Sequence, residues 1–221
     1  MDVLSLKGGW HDYWCVMRRK NLRMKTVLII DDAEEVRSVV RTTLAQFGFL
    51  THEACDGREG VEMALAHLPD LIICDITMGG MDGYGTLHAI RELSLFATTP
   101  FILMTGNVGK EGFRRGMSCG ADDYLQKPFQ PEELVESVVS RLVRHAELQT
   151  AAERRAEKLR NEAVQQISEE LAAPLHSILD VVSAMRRVSP SVDTELVFAD
   201  ACRINESVTR LGQMAEGRDA A

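Results

Sequence analysis

Apolar and polar positions follow two rhythms along the first two thirds of this chain. Val27-Leu28-Ile29-Ile30, Leu71-Ile72-Ile73-Cys74 and Pro100–Met104 are short runs that are apolar almost throughout. Between them lie stretches with helical spacing. Val36, Val39, Val40, Leu44 and Phe47 share one face of a helix that Gly48 stops. Phe49–Ala54 reads as a strand, Gly57–His67 and Gly83–Phe96 as helices, Val108–Cys119 as a helix stopped by Gly120, and Tyr124-Leu125 as the end of a last strand. Pro131 opens a further helix, where its missing N–H costs nothing. The order is (βα) five times. Strands that are apolar on both faces suit a parallel sheet covered on both sides. Right-handed crossovers then predict an α/β, doubly wound (βα)5 parallel sheet.

After about residue 143 no strand pattern recurs. Arg141–Arg160 is charged and helix-prone, and is expected to continue the last helix of the sheet domain. A stripe follows at steps of three and four: Val164, Ile167, Leu171, Leu175, Ile178, Val182 and Met185. Val188-Ser189-Pro190-Ser191 breaks it, and Val197, Ala201, Ile204, Val208 and Leu211 form a second stripe. An α-helical hairpin of this size has too little core to stand alone, so pairing with a second copy into a four-helix bundle is expected. The expected division is 1–23 as an N-terminal extension, 24–144 as the sheet domain, and 145–221 as helical linker and dimerisation hairpin. Residues 1–23 carry Trp10, Trp14 and Arg18-Arg19-Lys20 without periodicity. They read as disordered, or as lying upstream of a start at Met24, with a short partner-binding arm as the sharper alternative.

Charge narrows the partners. The net charge of −8 over 221 residues disfavours nonspecific binding to nucleic acid or anionic membranes. No apolar run is long enough to span a bilayer, which points to a cytoplasmic chain. Cys15, Cys55, Cys74, Cys119 and Cys202 form no CxxC pair and read as reduced thiols.

The strand ends carry the chemistry. Asp31 and Asp32 follow the first strand, Asp75 ends the third, Thr105 the fourth, and Lys127 follows the fifth. In doubly wound sheets the site lies beyond the carboxyl ends of the strands, so all five side chains are expected to converge. Three carboxylates so placed repel by several kcal/mol and call for a cation. Hard oxygen donors with room for water favour Mg²⁺ or Mn²⁺. A carboxylate, a divalent ion, a hydroxyl and a lysine are the parts that phosphoryl transfer requires. Acids that merely cap the following helices would explain one or two of these positions, not five.

Four segments carry a resemblance: Leu28-Ile29-Ile30-Asp31-Asp32, Asp75-Ile76-Thr77-Met78-Gly79-Gly80-Met81-Asp82-Gly83, Met104-Thr105-Gly106, and Gly120–Phe129. In this order they resemble the CheY-like receiver domain of two-component response regulators, over residues 25–143. The resemblance implies a signalling switch, not an enzyme, that catalyses only its own phosphorylation and dephosphorylation. Asp75 would accept a phosphoryl group from a histidine kinase or phosphotransfer protein. Asp31, Asp32, Asp75 and the Thr77 carbonyl would bind Mg²⁺. Lys127 and Thr105 would contact the phosphoryl group, and Tyr124 would change rotamer as Thr105 moves. The Lys127–Pro128 bond is expected to be cis. Output would be read on the surface of the fourth helix, last strand and fifth helix. Gly79 departs from the family's usual proline and implies a more mobile loop. Thr77 and Asn107 occupy positions that tune dephosphorylation.

Ser168-Glu169-Glu170-Leu171-Ala172-Ala173-Pro174-Leu175 and Ile204–Leu211 resemble the two helices of the sensor-kinase dimerisation hairpin, with Glu169 where its phosphorylated histidine belongs. This implies a degenerate hairpin without kinase activity, whose output is a protein effector or a sensor kinase. A phosphorelay intermediate or phosphate sink, using His176, is the alternative. A DNA-binding regulator is disfavoured, because no helix-turn-helix segment is evident after residue 143.

Overall fold

The computed structural model describes residues 24–106, 120–188 and 192–215. The expected extension at 1–23, Asn107, and the expected helix at 108–119 lie outside the described residues. The chain divides into two compact units, Met1–Leu148 and Gln149–Ala221.

In the first unit β1 (Thr26–Ile30), α1 (Glu34–Gln46), β2 (Leu50–Ala54), α2 (Gly57–His67), β3 (Leu71–Asp75), α3 (Gly83–Glu92), β4 (Phe101–Thr105) and β5 (Asp123–Gln126) precede α4, which begins at Pro131. The five strands are parallel, in the order β2-β1-β3-β4-β5. This is the five-stranded flavodoxin-like sheet with flanking helices that the apolar runs predict. The side-chain period of two splits each strand between two cores. Val27, Ile29, Leu71, Ile73, Ile102 and Met104 pack with Val40 and Leu44 of α1 and Leu134, Val135 and Val138 of α4. Leu28, Ile30, Ile72, Cys74, Phe101 and Leu103 pack with Ala64 of α2 and Leu87 and Ile90 of α3.

Local differences have local causes. Val39 sits off the buried face of α1 and is exposed, whereas Val40, Leu44 and Phe47 are buried. The helix expected over Gly83–Phe96 stops at Glu92 and resumes as a 3₁₀ turn, Ser94–Phe96. Arg91 organises that break. Its guanidinium donates to the carbonyls of Phe96 (2.8 Å) and Thr99 (2.7 Å) and to Asp122 Oδ2 (2.9 Å). Asp122 in turn accepts the first amide of β4, Phe101 N, at 2.9 Å. At the start of β1 the acid is Asp70, which accepts from Lys25 Nζ (2.7 Å) and Thr26 N (2.8 Å).

The helix α4 runs from Pro131 to Val188 with Pro174 inside it, and α5 spans Val192–Ala215. Within the second unit the stripes split. Val182, Ala201 and Val208 are buried, while Ile167, Leu171, Ile178, Met185, Val197 and Ile204 are exposed. The helical part is therefore present, and half of its apolar stripe faces solvent.

Candidate functional site

The chain runs from β1 outward to β2 and then returns to β3 on the other side of β1. Crossovers leave β1 and β3 on opposite faces, and their carboxyl ends open a crevice. Asp31 follows β1 there and Asp75 ends β3. Both are buried, at 0% and 5% exposure. Lys127 follows β5 and reaches both: its Nζ lies 2.6 Å from Asp31 Oδ2 and 2.6 Å from Asp75 Oδ1. The lysine backbone is fixed by its own N–H, which donates to the Thr105 carbonyl at 2.7 Å. The peptide bond that follows, Lys127–Pro128, is cis.

Each acid is held a second time. Asp31 Oδ1 accepts from Ala33 N (3.0 Å), and Asp75 Oδ2 from Thr77 N (3.0 Å). Thr77 thus places its backbone beside the Asp75 carboxylate. Thr105 ends β4, buried, one residue beyond Met104, the register partner of Asp75. Tyr124, half-buried on β5, packs against the core that contains Leu103 and Ala121.

One ammonium serves two carboxylates, and the protonation behaviour reflects that. Burial raises the Asp75 pKa above its ordinary value, and the Lys127 hydrogen bond and charge only partly offset it. Burial alone would lower Lys127, but its hydrogen bonds to Asp31 and Asp75 reverse the sign and hold it above its ordinary value. A buried excess of one negative charge remains.

Asp32 does not join this cluster. It is exposed, and among the described residues no three acidic, histidine or cysteine side chains stand close enough to hold a metal ion. Of the three expected carboxylates, Asp31 and Asp75 share Lys127, and Asp32 stands exposed one residue beyond Asp31. Lys127 compensates the buried pair. The donor chemistry still fits a hard divalent cation, since Asp31, Asp75, Asp32 and the Thr77 carbonyl are all oxygen donors at one edge of the sheet.

The loop from Ile76 to Asp82 closes on itself by Gly83 N donating to Ile76 O at 3.0 Å. A Cβ on Gly83 would stand 2.3 Å from the Asp75 carbonyl oxygen, so only glycine lets α3 start this close to Asp75. Gly80 has φ +79°, which suits glycine, whereas Gly79 faces open space and nothing there demands one. Two residues of this region escaped the sequence reading. Thr86 is fully buried beneath the loop, and its spacing with Gly83 and Ile90 on one face of α3 was the available signal. Arg91 left no local sequence signal, because its partners are backbone carbonyls and the distant Asp122 carboxylate.

On the far side of β5, Asp123 Oδ2 accepts from Ser137 Oγ (2.8 Å) and Arg141 Nε (3.0 Å), tying β5 to α4. Beside these contacts lies a groove of about 470 Å³, lined by Tyr124, Gln126, Glu133, Glu136, Ser140 and Arg141 among others.

Comparison with known proteins agrees with this geometry. The family model described as the response regulator receiver domain matches residues 27–139. A probable transcriptional regulator, ycf27, of Cyanidium caldarium is 35% identical over 137 residues, covering 60% of this chain and 54% of that protein. The transcriptional regulatory protein HprR of Escherichia coli is 35% identical over 127 residues, covering 58% of this chain and 56% of HprR. The chain thus spans about half the length of these curated relatives. Among solved structures, the chemotaxis protein CheY4 of Vibrio cholerae superposes with a TM-score of 0.51 at 35% identity, over 52% of this chain and 96% of CheY4.

Proposed function

The chain belongs to the response regulator receiver family of two-component systems, and from that premise we propose that Asp75 is its phosphoryl acceptor. The observation that carries this reading is the buried Asp31–Lys127–Asp75 cluster, in which each carboxylate lies 2.6 Å from one ammonium. The family implies a histidine kinase or phosphotransfer protein as donor. An Asp75 carboxylate oxygen attacks the phosphorus of a phosphohistidine, the P–N bond breaks, and the imidazole leaves. Asp31, Asp75, Asp32 and the Thr77 carbonyl would hold Mg²⁺, which supplies charge neutralisation on the transferring oxygens. Lys127 is released from its bridge toward the new phosphoryl oxygens, and Thr105 hydrogen-bonds to them.

The added charge, roughly −1.5 to −2, is what the switch reads. Movement of Thr105 and Tyr124 alters the surface of β5 and α4, where the groove beside Asp123 and Arg141 lies. The chain acts as a signalling switch whose only catalysis is on its own aspartate. The helical unit is the output: its exposed Ile167, Leu171, Ile178, Met185, Val197 and Ile204 suit a homodimeric four-helix bundle that binds a protein effector. Its likeness to a kinase dimerisation hairpin, with Glu169 in place of histidine, makes a sensor kinase one candidate effector. The test is labelling by a small acyl phosphate in Mg²⁺. Asp75→Asn is expected to abolish it, and Mg²⁺-dependent label at another residue would overturn the site.

A second reading, a phosphorelay intermediate, has one observation in its favour. His176 is exposed and its Nδ1 lies 2.8 Å from Ala172 O. A carbonyl only accepts, so Nδ1 donates here and Nε2 is the ring nitrogen that would take a phosphoryl group. Acid-labile label that vanishes in His176→Gln supports that reading, and its absence in the wild type removes it.

A further inference from the structure

Thr86 has no part in the roles just described, yet it is fully buried directly beneath the acceptor loop. Its Oγ1 donates to the carbonyl oxygen of Asp82 at 2.8 Å, and its own amide donates to the same oxygen at 2.9 Å. The hydroxyl also lies in hydrogen-bonding reach of the Cys74 thiol. That thiol is buried next to the acceptor, and its Sγ stands 3.2 Å from the Asp75 carbonyl oxygen. The hydroxyl is thus bonded to the residue that ends the acceptor loop and stands beside the thiol of the strand position before Asp75. Gly57, at the start of α2, leaves the space this requires: a Cβ there would fall 2.1 Å from Thr86 Oγ1 and 2.8 Å from the Met81 carbonyl oxygen.

A buried threonine often back-bonds to the carbonyl four residues earlier simply to satisfy its hydroxyl. Two features go beyond that. The carbonyl belongs to Asp82, the N-cap of α3, whose side chain is already committed to Gly85 N at 2.7 Å. And the Cys74 thiol of β3 stands beside the same hydroxyl. We propose that Thr86 is a positioning residue for the phosphorylation site, with Cys74 as its partner. It fixes the loop from Ile76 to Asp82 and, with it, the Thr77 backbone that borders the Asp75 carboxylate. The proposal rests on Asp75 being the acceptor.

The experiment measures label incorporated from a small acyl phosphate into the full chain across a Mg²⁺ titration. The wild type, Asp75→Asn, Thr86→Val, Thr86→Ser and Cys74→Ala are compared, and each is unfolded in chelator to record its stability. If the wild type takes no label, or Asp75→Asn keeps it, the acceptor assignment fails. With that assignment standing, Thr86→Val is expected to raise the Mg²⁺ concentration for half-maximal labelling by about five- to tenfold, the effect of one lost hydrogen bond. Thr86→Ser keeps the hydroxyl and restores the wild-type curve. Cys74→Ala shifts the curve in the same direction by less. A threonine that merely supports the fold would move the denaturant midpoint and leave the Mg²⁺ curve in place. A wild-type curve for Thr86→Val, or Thr86→Ser as impaired as Thr86→Val, overturns the proposal. Should valine prevent folding, a wild-type curve for Cys74→Ala overturns it.

Discussion

Removing the ammonium of Lys127 is the sharpest perturbation of the site. Lys127→Met keeps most of the side-chain volume and deletes the charge. Two carboxylates with 1% and 7% exposed side chains then lose their common partner. At 2.6 Å each gross attraction is roughly 6 kcal/mol for an effective dielectric of about 20. Desolvation of the ammonium cancels much of that, and breaking a buried pair typically costs about 3–5 kcal/mol. The cost depends on pH, and its sign follows from Asp75. Burial raises the folded pKa of Asp75 above the unfolded value. The folded state therefore binds this proton more tightly, and stability is lost as pH rises through the folded pKa. Without Lys127 that pKa rises further, and Asp31 loses its cation as well. In urea unfolding with chelator present, the deficit of Lys127→Met against wild type should be about 3–5 kcal/mol at pH 7 and should shrink steadily toward pH 4. Equal midpoints at pH 7, or a deficit that stays constant across this range, would refute the charge argument.

Gly83→Ala places a methyl 2.3 Å from the Asp75 carbonyl oxygen and should destabilise the sheet domain by about 1–3 kcal/mol while slowing acyl phosphate labelling. Denaturant unfolding and the labelling assay check both effects. Mg²⁺ in excess should raise the unfolding midpoint of the wild type, and Asp75→Asn should weaken that response, because it removes one of the two buried charges. Ile178→Glu together with Ile204→Glu should convert a dimer to a monomer in sedimentation equilibrium. Unchanged mass would remove the four-helix bundle from the functional reading.

The sheet was legible because its strands are buried on both faces. Leu71-Ile72-Ile73-Cys74 has no polar position to confuse the period, and the observed β3 adds only Asp75. Boundaries slipped where tertiary contacts override propensity. The break after Glu92 is made by Arg91 bonding to Phe96 and Thr99, and no local pattern announces a guanidinium aimed at carbonyls. At the site, Asp31, Asp75 and Lys127 could be read from their places at strand ends, since a parallel sheet brings those ends to one edge. Asp32 could not be resolved that way. Adjacent residues of a strand end point to opposite sides, and which of two neighbouring aspartates is buried depends on packing around α1. The hairpin stripe was readable as helical, but not which half of it would be covered. Seven residues at steps of three and four fit either an inner or an outer face, and Val182 and Met185, three apart, fell on different sides of that divide.

The site is arranged so that one charge change has somewhere to go. A fully neutralised pocket would gain little from a phosphoryl group and would lose the ammonium's existing bonds. A pocket with two buried carboxylates and one lysine is different. Lys127 already sits between competing partners at equal distance, so transferring it to a more highly charged oxygen exchanges bonds instead of creating them. On the proposed reading the exchange would free Asp31 for a cation while the lysine follows the phosphoryl group. Lys127 N is also bonded to Thr105 O, so the lysine and the threonine share one piece of backbone between β4 and β5. On the proposed reading a shift at either would pass to the other, and β5 would carry it to the Asp123–Arg141 contacts on α4. The electrostatic imbalance is thus what makes the geometry responsive, and the same imbalance accounts for the raised pKa of Asp75.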